Sequence, residues 1–392
     1  MLRKELELYI HIPFCVRKCA YCDFLSAPAN EQTQRVYVER LIEEIQGFES
    51  AEEYTVSTVF VGGGTPSILP EEEVAKIMKA VRARFPYWIS MENEGRDPEI
   101  TIECNPGTLT AEKLSAYKRA GINRLSLGLQ SANDKELQLL GRIHSYEEFL
   151  ESYRLAREAG FTNINVDLMS ALPGQSLDSY CDTLRKICAL EPEHISAYSL
   201  IIEEGTPFCA AYKEDVKLRE DGKEPKLLPS EDTERAMYQK TEAILTEYGY
   251  HRYEISNYAK TGYECRHNVG YWRRADYVGF GLGAASLQNP LRYHNTDVLE
   301  DYLKGDFAKK ELFVLTKDNQ IEETMFLGLR MMQGVDVLKF KESFGCDLNI
   351  VYAHQVKKMK ALGMLEEKDG CIRLTKEGTD VSNQVMSEFI LD

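Results

Sequence analysis

The sequence predicts an α/β fold: an open, partial (β/α)6 barrel of TIM-like kind, followed by a C-terminal helical, winged-helix-like domain. Three observations carry this. Apolar, β-branched runs alternate with helix-like stretches six times over the first 200 residues, the mark of parallel strands joined by helical crossovers. Polar and glycine residues of chemical character fall in or just beyond the ends of those runs, the face where parallel barrels build their sites. The pattern then changes near residue 230 and again near residue 310, and 392 residues suit one large domain with a smaller companion.

In chain order the runs are Leu6–Ile12, Ser57–Val61, Ile100–Cys104, Arg124–Leu129, Asn163–Met169 and His194–Leu200, each read as a strand buried on both faces. Between them Gln34–Phe48, Glu71–Arg84, Ala111–Ala120, Tyr146–Ala159 and Ser176–Leu190 read as helices, several opened by Pro, Ser or Thr and closed near Gly. Residues 1–230 are therefore assigned to the barrel. A connecting region, 231–309, holds a helix at Asp232–Tyr248, a strand-like Arg252–Ser256 and an unusual segment from Cys265 to Leu287. In the smaller domain, 310–392, helices at Thr324–Gln333, Leu338–Phe344 and Asn349–Leu362 lead into Leu365–Glu367, a turn at Lys368-Asp369-Gly370, Cys371–Leu374 and a last helix. Acidic residues outnumber basic ones there, which favours a packing or partner-docking module over a DNA reader.

A net charge of −16 leaves no basic excess to neutralise phosphates, so nucleic acid is not an expected partner. The charged start, Met1 to Glu7, fits neither a signal nor a transit peptide, and no apolar run reaches the length of a membrane span, so a cytoplasmic location is expected. Ten cysteines in such a chain read as reduced thiols. Three of them crowd into one short stretch.

Cys15-x-x-x-Cys19-x-x-Cys22 places three thiolates on one tight loop. A four-iron cluster normally takes four cysteines; three leave one iron open, able to chelate the amino and carboxylate groups of S-adenosylmethionine (SAM). The alternatives are a structural zinc site, which would want a second ligand pair nearby, and three incidental thiols. Gly62-Gly63-Gly64-Thr65, after the second strand, reads either as a ligand cradle or as a tight strand-to-helix turn. Glu103 is a carboxylate in an otherwise apolar strand, where burial demands a partner. An internal salt bridge between Arg142 and an acid is a further alternative to ligand binding.

The run Tyr9-Ile10-His11-Ile12-Pro13-Phe14-Cys15, with Cys22-Asp23-Phe24 and Gly62-Gly63-Gly64-Thr65-Pro66-Ser67, resembles the oxygen-independent coproporphyrinogen III oxidase-like family of radical SAM proteins over essentially the whole chain. The resemblance implies a radical SAM barrel with a [4Fe-4S] cluster on Cys15, Cys19 and Cys22. It implies SAM contacts from Tyr9, Tyr21, Asp23, Phe24, Gly63, Gly64, Thr65, Glu103, Gln130, Arg142 and Asp167. His11 and Phe14 are expected to pack and hydrogen-bond rather than ligate.

Two departures bear on function. Phe24 stands where the oxidase carries a further cysteine, and the oxidase's long N-terminal extension has no counterpart here. Cys265-Arg266-His267-Asn268-Val269-Gly270-Tyr271-Trp272, in turn, is similar to the signature of the family's haem chaperone branch, HemW. That branch implies haem b as a third cofactor, with His267 as axial ligand and the flat faces of Tyr271 and Trp272 against the ring; packing of His267 in a turn is the alternative. The expected function is a haem chaperone delivering haem to apo-haem acceptor proteins, with SAM cleavage left open and no coproporphyrinogen oxidase activity. The rival is a coproporphyrinogen III dehydrogenase that removes two propionate carboxyls. A purely structural iron–sulfur protein is a third, weaker class. The electron donor, a dimer and peripheral membrane contact stay open.

Overall fold

The computed structural model describes residues 3–391. All six expected strands form: β1 (Lys4–Ile12), β2 (Tyr54–Gly63), β3 (Glu99–Cys104), β4 (Arg124–Gln130), β5 (Ile164–Ser170) and β6 (His194–Ser199) lie parallel and in sequence order. Alternation decides which side chain faces where. On β1, Leu6, Leu8, Ile10 and Ile12 are fully buried among apolar neighbours in the main core, while Glu7, Tyr9 and His11 point to the other, concave face. That second face is polar as well as buried, which is why the strands read as continuous apolar runs only in part. Helix starts follow their caps: Ser145 and Glu148 form a capping box, and Thr110 and Ser176 each accept a backbone N–H.

The sheet extends beyond the six strands at both edges, to 12 strands among the described residues. β7 (His251–Arg252) and β8 (Asn257–Ala259) follow β6 in antiparallel sense. At the other edge β9 (Tyr277–Phe280) pairs parallel with β1, and β10 (Ala285–Gln288), β11 (Leu291–His294) and β12 (Lys310–Val314) continue from it antiparallel. The region 231–309 is thus woven into both sheet edges, and β12, grouped above with the C-terminal domain, pairs with β11. Of the strand-like Arg252–Ser256 only Arg252 is strand, closing β7, and residues 253–256 form the bend that leads into β8.

The C-terminal domain has its own core, including Met325, Leu329, Phe340, Tyr352, Ile372 and Phe389. Its three strands, β13 (Val335–Asp336), β14 (Leu365–Lys368) and β15 (Cys371–Leu374), pair in the order β13-β15-β14, the small sheet of a winged-helix-like unit. The helix expected at Thr324–Gln333 runs instead over Lys317–Gly328, because Thr316 and Asn319 make a capping box about two turns earlier. The helix expected at Asn349–Leu362 breaks at Tyr352, whose hydroxyl donates to the Phe389 carbonyl at 3.0 Å. Among the described residues no helix is long and apolar enough to cross a membrane.

Candidate cofactor site

The three cysteines of the loop after β1 line one pocket at the C-terminal rim of the barrel. Local bonds hold the loop: Cys22 N–H donates to the Cys19 carbonyl at 3.2 Å, and Cys15 N–H to that of Ala27 at 3.3 Å. A helix absent from the sequence reading, Pro207–Glu220, buttresses it; Phe208 N–H donates to the Ala20 carbonyl at 3.0 Å, and the Phe208 ring packs near Tyr21. Among the described residues, no three His, Cys, Asp or Glu side chains converge as a mononuclear ion requires. Three thiols lining one pocket are a ligand set that a polynuclear cluster takes.

Opposite the thiols sits the glycine turn after β2. A Cβ on Gly64 would meet the Phe14 carbonyl oxygen at 2.5 Å, and one on Gly63, with φ +114°, would strike the His11 ring at 2.6 Å. The turn therefore needs glycine to sit against the cluster loop. Gly63 N–H donates to Glu103 Oε2 at 3.0 Å, which answers how that buried carboxylate is satisfied. Gln130 adopts φ +77° at a register shift in β4, a strained position that turns it into the pocket. Asp167 accepts from Asn165 Nδ2 at 2.8 Å and from Ser126 Oγ at 3.2 Å.

Arg142 makes no salt bridge with either acid. It donates to Asn105 Oδ1 at 2.6 Å and lies 3.8 Å from Cys19 Sγ, while its buried Nε has no partner. An unpartnered guanidinium N–H in the pocket that Glu103 and Asp167 also line is what a zwitterionic, hydroxyl-bearing ligand would complete. The pocket thus gathers Tyr21, Phe24, Gly63, Gly64, Thr65, Glu103, Gln130, Arg142 and Asp167 with the three thiols. Two expected contacts lie elsewhere. Asp23 is exposed on the loop's outer side and is not among the lining residues. Tyr9 hydrogen-bonds His11 Nδ1 at 2.9 Å and lines a different cavity. Asn105, which also donates to Thr65 Oγ1 at 2.8 Å, was missed: Asn-Pro-Gly after a strand reads simply as a turn.

Burial, then the neighbouring Asp167, pushes the Glu103 carboxyl up from 4.5 to about 8. An acid with a raised pKa holds its proton more tightly folded than unfolded, so stability falls as pH rises from 4.5 towards about 8. Glu103→Gln is expected to flatten that decline when denaturation is compared across this window. An unchanged slope would exclude Glu103 as its source.

His267 is in a place that the axial-ligand expectation did not foresee. The helix Arg266–Trp272 lies against the concave face, and His267 is 1 % exposed, stacked on Phe60 at 5.2 Å. Both ring nitrogens are engaged, Nδ1 with Thr58 Oγ1 at 2.7 Å and Nε2 with Tyr271 Oη at 3.0 Å. Burial, then Arg124, lowers its pKa to about 3, so the ring is neutral. In this arrangement the imidazole ties the helix to β2 through Thr58 and to Tyr271 within the helix. His267→Ala is expected to cost about 2–4 kcal/mol of stability through a cavity and two unpaired hydroxyls. A denaturation curve matching the parent's would contradict this anchoring role. Tyr271 and Trp272, by contrast, line a cleft with Tyr9, Tyr277 and Phe326.

Residues 9–187 match the radical SAM superfamily and residues 315–381 the HemN C-terminal domain. A Lactococcus lactis protein named heme chaperone HemW is 36% identical, covering 100% of this chain and 99% of that one. The Escherichia coli protein of the same name is 35% identical over 99% of this chain and 98% of its own. Among solved structures, Escherichia coli coproporphyrinogen III oxidase (HemN), described as a radical SAM enzyme, superposes with TM-score 0.81 at 24% identity, over 99% of this chain and 90% of that one. That likeness establishes the fold.

Proposed function

This chain belongs to the HemW heme chaperone family within the radical SAM superfamily, and we propose that it binds haem and hands it to apo-haem acceptor proteins. The observation that carries the reading is the end-to-end similarity to proteins named heme chaperone, on a chain whose cluster-loop thiols and glycine turn meet in one pocket.

In this reading Cys15, Cys19 and Cys22 hold the [4Fe-4S] cluster. The backbone of Gly63, Gly64 and Thr65 takes SAM's methionyl end, since nothing but hydrogen projects there from the two glycines. Glu103 and Asp167 accept from amine and ribose hydroxyl groups, and Arg142 uses its free Nε–H on a carboxylate. When bound, the pair supplies one-electron reduction of SAM's sulfonium. The chain's own part is to orient SAM against the open iron and to keep water from the buried acids.

The partners are haem, apo-haem proteins and an external one-electron donor, and the location is cytoplasmic. Coproporphyrinogen III dehydrogenation, the rival activity, shares the fold, and Phe24 leaves its further cysteine unmatched. The test is transfer: haem-loaded chain mixed with an apo-haem protein should lose its haem absorbance while the acceptor gains haem and activity. Retention of haem by this chain under those conditions would count against a chaperone.

A further inference from the structure

A row of buried polar side chains crosses the inside of the barrel and ends at Asp167. Asn165 and Asp167 alternate with apolar residues on β5, so both face the concave side, and the parallel register sets His194 and Ser196 of β6 beside them. Each link in the row has a forced direction. As a carboxylate Asp167 only accepts, so the nitrogen of the Asn165 amide faces it, Nδ2 donating to Oδ1 at 2.8 Å. Asn165 Oδ1 then faces the other way and accepts from His194 Nδ1 at 2.6 Å and from Ser196 Oγ at 3.1 Å. Burial, then Arg124, holds the His194 pKa well below its ordinary value, so the ring carries one proton, on Nδ1. Its bare Nε2 accepts the Tyr253 hydroxyl at 2.8 Å, and the Tyr253 oxygen takes the Cys265 N–H at 3.2 Å. Cys265 is the N-cap of the helix Arg266–Trp272. Every donor therefore points towards Asp167, along a path from that helix to the cofactor pocket.

Packing alone would be served by apolar side chains, as it is on the opposite face of β5, where Ile164, Val166 and Leu168 are fully buried. A satisfied polar network costs desolvation and returns fixed orientation. Resting on the SAM assignment above, we propose that Asn165, His194 and Tyr253 are positioning residues for SAM: their chain clamps the Asp167 carboxylate so that its remaining lone pairs face a ribose hydroxyl. None of the three lines the cofactor pocket, whereas Asp167 does, so they act through it. The first turn of the helix Arg266–Trp272 thereby helps to set the SAM site.

The full-length chain with its cluster reconstituted is titrated anaerobically, without reductant, with SAM and with an analogue lacking the ribose hydroxyls. Asn165→Asp sets an oxygen against the Asp167 carboxylate and is expected to weaken SAM at least about tenfold, while the analogue binds as it does to the parent. Tyr253→Phe cuts the chain beyond His194 and is expected to weaken SAM about threefold, with the same selectivity. A role confined to packing would lower both ligands together. Thermal melting and iron content report folding and cluster loading. Asp167→Asn at parental SAM affinity would overturn the Asp167 contact itself and the positioning role with it. Loss of affinity in Asp167→Asn, with both other variants folded and either at parental affinity or equally weakened for SAM and analogue, would overturn the positioning role and leave that contact standing. Should Asn165→Asp fail to fold, Tyr253→Phe decides alone.

Discussion

Cys19→Ala is expected to abolish cluster assembly, leaving the anaerobically reconstituted variant with background iron and sulfide and no SAM-dependent chemistry. Cys15 and Cys22 would remain, and two thiolates do not hold a four-iron cube with an open site. A fourth thiol, Cys104, lines the same pocket but lies buried in β3, its pKa pushed far up by burial and then by Glu103, so it stays a protonated packing group. Cys104→Ala is therefore the internal control, expected to keep full iron content. Cluster retention in Cys19→Ala, or its loss in Cys104→Ala, would reassign the ligands; iron and sulfide analysis with the visible spectrum reads both.

Gly64→Ala should produce the second large effect. Its new methyl would lie 2.5 Å from the Phe14 carbonyl oxygen and 2.9 Å from its carbon, and Phe14 directly precedes the first ligand, Cys15. Backbone atoms cannot step aside as a flexible side chain can, and Phe14 O is already held by Thr65 N–H at 2.7 Å. The turn and the cluster loop must separate, at a strain of about 1–3 kcal/mol, which corresponds to a loss of SAM affinity of about 5- to 150-fold. Gly160→Ala provides the contrast: its φ of +81° is also left-handed, yet no atom lies within 4 Å, so it should cost about 1 kcal/mol of stability and leave SAM binding unchanged. Equal SAM affinity in Gly64→Ala and the parent, by equilibrium binding to reconstituted protein, would remove the turn from the site.

The parts of this arrangement that were legible in the sequence are those encoded locally. Strands β1 to β6 announce themselves because parallel strands are buried on both faces, and the thiols and glycines sit within a few residues of strand ends. Distances across the chain are not encoded that way. His267 and its partner Thr58 are 209 positions apart, so the residue types suggested a ligand while the depth of the ring was invisible. The helix Pro207–Glu220 carried a start signal, Thr206 capping with Pro207 at the first turn, but charged residues interrupt its apolar stripe. Strands β9 to β12 are four or five residues each, too short for periodicity to distinguish from loop, and only pairing beside β1 makes them sheet. Asn105 gained its role from where Thr65 and Arg142 fold to meet it.

The most direct measurement of the central claim sets haem binding against turnover in one anaerobic preparation. The chain, reconstituted with iron and sulfide and supplied with SAM and a reductant, is titrated with haem while coproporphyrinogen III is offered in parallel and its products are analysed. A haem chaperone binds haem stoichiometrically and leaves coproporphyrinogen III unchanged. Efficient decarboxylation of coproporphyrinogen III, with no retained haem, would contradict the account.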